Sequence, residues 1–200
     1  MYRSVKIFIL TVAALFAQQV IAQTSPVPML EQTAQQIIDT LKSHQASLKQ
    51  NPKIVNQAIQ TYLLPHIDVE GMSRSVLGRQ AWMKATPAEK QAFSHEFSQL
   101  VIRTYAAPLA EYSGETVTFT PIRGNVDGRF IRVNSMIFRP NGQRIPLSYN
   151  LVSKGDGWKV YDLSVEGVSL LQSFRTQFAS ILQQGSMHDL LNQMRANKKA

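Results

Sequence analysis

Leu30, Ala34, Ile37, Ile38, Leu41 and Leu48 recur at the spacing that stacks side chains on one face of an α-helix. Asn51-Pro52 closes this first predicted helix and opens the next, with Asn as N-cap and Pro in the first helical position. Ile54, Val55, Ala58, Ile59, Tyr62 and Leu63 form the second apolar stripe, which Pro65 stops, and a short irregular helical stretch over 69–77 follows. Thr86-Pro87-Ala88-Glu89 reads as a capping box and is the sharpest local signal in the chain. Behind it Phe93, Phe97, Leu100, Val101 and Tyr105 line a long helix ending near Glu111.

From residue 116 the apolar period changes from 3.6 to 2. Residues 116–122, 130–138, 145–152 and 158–165 are predicted strands, separated by the turn residues Asp127-Gly128, Asn141-Gly142 and Gly155-Asp156-Gly157. Such short links imply an antiparallel meander. A two-residue turn at Asn141-Gly142 places Phe138 opposite Ile145 and Met136 opposite Leu147. A three-residue Gly-Asp-Gly loop places Leu151 opposite Tyr161, Tyr149 opposite Leu163 and Leu147 opposite Val165. One sheet face is therefore expected to gather Met136, Phe138, Ile145, Leu147, Tyr149, Leu151, Tyr161, Leu163 and Val165. The chain then returns to helix with Leu171, Phe174, Phe178, Ile181 and Leu182. Gly185 ends that helix and Ser186 caps a last one carrying Leu190, Leu191 and Met194. Helices segregated from an antiparallel sheet make an α+β fold.

The first 22 residues stand apart. Arg3 and Lys6 precede an apolar run over 7–17, too short to span a bilayer, and Val20-Ile21-Ala22 fits a cleavage site before Gln23. The expected organisation is a signal peptide over 1–22, one domain over 23–194 and a polar tail over 195–200. The chain has no Cys, which fits export to a bacterial periplasm and excludes disulfides, thiol catalysis and thiolate zinc sites. Four scattered His residues offer no metal-ligand spacing. Hydrophobic residues at 44% and charged residues at 17% suit a chain with a core.

The formal net charge is +8, and +6 without residues 1–22. The basic residues are spread along the chain rather than gathered with aromatics, which argues against nucleic acid. Attraction to anionic lipid, at ~1 kcal/mol per basic residue near a membrane surface, is the more economical use of such charge. No nucleophile elbow, no H-E-x-x-H and no phosphate-cradling loop is present. Asp162 and Glu166, at the end of the last predicted strand, are the best carboxylate pair for acid–base work. Residues in such places also serve as turn ligands and helix caps.

Trp158-Lys159-Val160-Tyr161-Asp162, then Val165-Glu166-Gly167-Val168-Ser169-Leu170, then Phe174-Arg175-Thr176-Gln177-Phe178 resembles the C-terminal signature of the MlaC family, periplasmic phospholipid-binding proteins also known as toluene-tolerance proteins. Leu63-Leu64-Pro65, Leu77-Gly78, Trp82, Ala85-Thr86-Pro87-Ala88, Phe93, Phe97, Thr104-Tyr105, Leu109, Tyr112 and Pro140-Asn141-Gly142 fit the same family in order.

The resemblance implies a helix-wrapped antiparallel sheet, similar to NTF2-like and cystatin-like arrangements, with an internal apolar cavity. It implies a monomeric, non-catalytic shuttle with no cofactor. Its cargo is phospholipid, carried between an outer-membrane lipoprotein–porin complex and an inner-membrane ABC transporter. Lipid-binding candidates are then Phe97, Val101, Tyr105, Met136, Phe138, Leu147, Tyr149, Leu151, Tyr161, Leu163, Val165 and Val168. Arg103 and Arg132 stand as headgroup candidates through their neighbours in the family pattern. Two other readings of the residues stay open. One is an NTF2-like enzyme using Asp162 or Glu166 with Tyr161; the other is an adaptor domain with a filled core.

Overall fold

A computed structural model describes residues 24–123, 126–155 and 157–196. The expected signal peptide over 1–22 lies outside them. Helix α1 (Val27–Ser43) opens the fold, and Trp158 Nε1 donates to the carbonyl of Thr24 at 2.8 Å, tying its start to the sheet. Helix α2 (Lys53–Ala58) begins one residue later than expected, after Pro52, with no side-chain cap. It widens into a π-helical turn over Ile59–Leu63 before Leu64–His66, which contains Pro65. Proline has no N–H to continue the α-helical ladder, so the last turn is spaced differently.

Helix α3 (Val69–Lys84) is longer than the predicted stretch because it runs through a kink. Gly78 sits there at φ 74°, ψ 163°, a conformation that a side chain would strain. The Asp68 carboxylate caps the helix by accepting from Gly71 N and pairs with Lys154 Nζ at 2.6 Å. Helix α4 (Pro87–Ala110) starts at the predicted capping box. Thr86 Oγ1 accepts from Glu89 N at 3.2 Å and the Glu89 carboxylate accepts from Thr86 N at 2.8 Å.

The sheet is a meander in the order β1-β2-β3-β4-β5: β1 (Thr116–Phe119), β2 (Phe130–Phe138), β3 (Arg144–Lys154), β4 (Gly157–Val165) and the two-residue β5 (Val168–Ser169), all antiparallel. Sequence periodicity misses β5, since two residues carry no period. Helices α5 (Leu170–Gln184) and α6 (Met187–Ala196) complete the chain. Ser186 and Asp189 form a reciprocal cap before α6. Arg195 and Ala196 belong to that helix rather than to a tail, and Arg195 Nε meets Glu96 Oε1 at 3.1 Å.

Two turns decide the faces of the sheet. Pro140 makes the first one a three-residue loop: Gly142 N donates to the Arg139 carbonyl at 3.0 Å, and Gly142 closes the loop at φ 85°. Ile137, not Phe138, therefore lies opposite Ile145, and Met136 lies opposite Pro146. At the second turn Lys154 pairs with Gly157, and the expected register is restored only beyond a bulge at Asn150/Leu151. Leu151 faces Val160, and Tyr161 is the extra residue.

Among the described residues, buried apolar side chains form three clusters, the partly buried Ile67 packing against the first two. The first joins α3, α4, α5 and α6 through Met72, Val76, Phe93, Phe97, Phe174, Phe178, Leu190 and Met194. The second sets Leu30 of α1 on one end of the sheet, against Phe119, Val133, Leu151, Trp158 and Val160. The third joins α1 and α2 to the far half of α4 through Leu41, Leu48, Val55, Ile59, Ile102 and Ala106. Helix α4, about 36 Å long at 1.5 Å per residue, thus serves two clusters.

Candidate functional site

Cross-strand partners share a face, so the register defines rows of side chains across the sheet. One row runs Phe119–Ser135–Leu147–Val165–Val168 from edge to edge. Beside it run Val117–Ile137–Ile145 and Val133–Tyr149–Leu163. The end of this face holding Val133 and Leu151 is packed under α1. The other end is not: Ile137, Ile145, Leu147, Leu163 and Val165 are only partly buried and join none of the three clusters. Val168 extends this open patch and is 61% exposed.

A cleft of about 610 Å³ lies between α1 and β1, with Ala34, Ile38, Val117 and Phe119 among its lining and Glu31, Asp39, Lys42 and Glu115 beside them. At the other edge an open groove of about 810 Å³ follows α5 from Gly167 and Val168 to Ser180. Phe119 and Val168, the two ends of one cross-strand row, each line one of these depressions.

The opposite face of the sheet is polar in its centre. Arg132 Nε donates to Asn150 Oδ1 at 2.9 Å, and Ser148 Oγ donates to Asn134 Oδ1 at 2.8 Å. The three-residue loop turns Met136 and Phe138 to this side, and Phe138 lies under the Arg144 guanidinium. The bulge sends Tyr161 here too, edge-on to the exposed Phe130 with ring centroids 5.7 Å apart. Met136, Phe138 and Tyr161 therefore do not share the face of Leu147 and Tyr149, contrary to the two-residue-turn register.

Phe97 is stacked on Phe93 and edge-on to Phe174 and Phe178, inside the helical cluster, and Val101 packs on the same cluster. Tyr105 stays outside the three clusters, half-buried, and burial raises its hydroxyl pKa. Neither arginine candidate reaches the open face. Arg103 donates to the Met194 carbonyl in the last turn of α6 at 3.3 Å, and Arg132 is on the polar side. Ser135 and Ile137, missing from the expected set, face the open patch. Pro140 at the first turn position was the signal for them.

Asp162 is 8% exposed and acts as a helix-start ligand: it accepts from Ser169 Oγ at 2.8 Å, Leu171 N at 3.2 Å and Asn150 Nδ2 at 3.4 Å. Glu166 is exposed in the tight β4–β5 turn at φ 50°. Asp162→Ala is expected to cost about 2 kcal/mol by leaving these donors unpaired, read as a lowered urea midpoint. An unchanged midpoint would contradict the capping role. Among the described residues no cluster of His, Asp and Glu could hold a metal ion, and no helix is long and apolar enough to cross a membrane.

The sequence profile of the MlaC protein family matches residues 31–196. A toluene tolerance protein, ttg2D, of Pseudomonas putida is 29% identical over 175 residues, covering 88% of this chain and 81% of its own. The intermembrane phospholipid transport system binding protein MlaC of Haemophilus influenzae is 30% identical over 191 residues, covering 94% and 88%. A Ralstonia solanacearum phospholipid-binding protein, solved in complex with a phospholipid, superposes with a TM-score of 0.79 at 27% identity, over 86% of this chain and 96% of that one.

Proposed function

The chain belongs to the MlaC family, and from that premise we propose that it binds phospholipid and carries it through the periplasm. The observation that carries this reading is the apolar patch of Ile137, Ile145, Leu147, Leu163 and Val165, which spans neighbouring strands and packs into none of the three clusters. A single contiguous core is the usual arrangement in one domain. Here the patch lies outside all three clusters, and its side chains are those a hydrocarbon ligand would cover. Ile137, Ile145, Leu147, Leu163, Val165 and Val168 form the bed for the acyl chains, with Tyr149 at its margin.

The physics requires enclosure. A diacyl phospholipid has roughly 30 chain carbons, and at ~0.8 kcal/mol per buried CH₂ their exposure to water costs over ~20 kcal/mol. A carrier must cover most of both tails, which a patch running from β2 to β5 favours over a shallow surface notch. The protein is a carrier, not an enzyme. It is exported with residues 1–22 removed before Gln23, works as a monomer, and exchanges lipid with an outer-membrane lipoprotein–porin complex and an inner-membrane ABC transporter. The resemblance to the Haemophilus transport-system protein supports this place in the route.

Native mass spectrometry of the protein purified from periplasm without detergent tests the reading. An adduct of roughly 700–750 Da, the size of a common diacyl phospholipid on the same chain-length estimate, is expected. A bare polypeptide mass that stays bare after incubation with liposomes would overturn it.

A further inference from the structure

The open sheet face holds one polar pair. Ser135 is 4% exposed and its hydroxyl lies 3.3 Å from that of Tyr149, diagonally across β2 and β3. The Tyr149 ring is held against Phe119, with centroids 5.7 Å apart and planes 32° apart. Ser135 is directly opposite Leu147, and Tyr149 is directly opposite Leu163, so the pair borders the unpacked patch on two strands. Burial raises the Tyr149 pKa, which keeps the phenol protonated at neutral pH.

Two hydroxyls carry two protons, and their mutual bond uses one. Either hydroxyl can donate to the other; with Ser135 donating to Tyr149 Oη, the hydrogen bonds of the described residues give the phenol proton no acceptor. A hydroxyl on an apolar face with an unspent proton is costly unless an acceptor comes to it. Hydrocarbon chains bring none. The acceptors nearest to the chains of a diacyl phospholipid are its two ester carbonyls.

We propose that Tyr149 donates a hydrogen bond to an ester carbonyl of the bound phospholipid, fixing how deep the glycerol backbone sits on the sheet and selecting ester-linked over ether-linked lipids. This rests on the phospholipid-binding reading above and adds a specificity-determining residue to it. Ser135 is the positioning partner that orients the phenol.

The test is a competition. Delipidated protein is offered equal amounts of diacyl- and dialkyl-phosphatidylethanolamine of the same chain length in mixed liposomes, and the loaded ratio is read by native mass spectrometry. Wild type is expected to favour the diacyl lipid by about fivefold, the worth of one hydrogen bond. Tyr149→Phe, which retains the ring on Phe119, is expected to bring that ratio to about one. Equal loading in wild type, or a preference unchanged in Tyr149→Phe, overturns the inference and leaves the carrier reading standing. Failure of both lipids to load wild type overturns both. Should Tyr149→Phe fold poorly, Ser135→Ala, which removes the group that orients the phenol, is read instead: a fall of the ratio toward one is expected, and an unchanged ratio overturns the inference.

Discussion

Freed of lipid, the protein is expected to melt about 10 °C below its loaded form. Ligand bound only by the native state stabilises it in proportion to the logarithm of saturation, about 4 kcal/mol at a thousandfold excess over Kd. For a chain of this size each kcal/mol moves Tm by about 2–4 °C. The open patch is the structural reason: the protein itself buries Leu147, Val165 and their neighbours only partly, and on the carrier reading the acyl chains complete that burial. Calorimetry of the protein as purified, after lipid extraction, and after re-addition of diacyl phosphatidylethanolamine checks this. Identical melting of all three would mean that the patch is not the lipid bed.

Phe97→Ala is expected to cost about 3–5 kcal/mol, and to cost the same in the empty and loaded states. Phe97 contacts three other phenyl rings at centroid distances of 5.3–6.1 Å and is 2% exposed. Its removal leaves a cavity where α3, α4, α5 and α6 converge, walled by side chains that cannot collapse together. Urea denaturation of both states measures it. A loss confined to the loaded state would mean that Phe97 touches lipid and that the helical cluster is part of the binding surface.

The same residue marks where sequence reading ran out. Phe93, Phe97, Val101 and Tyr105 announce an apolar helix face, and the capping box fixes where the helix starts. Nothing in their spacing says which of them fill a core and which border a cavity, because both tasks use the same side chains. The strands were legible from their alternation, and β2 runs over the predicted residues 130–138. Their register was not, because it depended on one loop residue. Counting Pro140 into the first turn moves Ile137 to the face of Leu147 and turns Met136 and Phe138 away. The bulge beside Leu151 left no sequence signal, since the expected three-residue turn and the observed turn-plus-bulge leave the same pairing for Tyr149, Leu147 and Val165. Arg103 and Arg132 stand out only by their neighbours in the family pattern, and each has a hydrogen-bond partner that a pattern of residues does not display.

The ends of the sheet have a consequence for the empty protein. Its outermost strands are short: β1 has four residues and β5 has two, while Ile67 and Asp68 bond alongside Val160 on the remaining stretch of β4. Long bare strand edges recruit other chains, and an uncovered apolar face beside one is a recipe for fibrous assembly. Here the row that runs from Phe119 to Val168 ends at both edges in strands too brief to template a neighbour. On the carrier reading, a molecule between cargoes thus offers little strand edge beside the very surface it needs to leave uncovered.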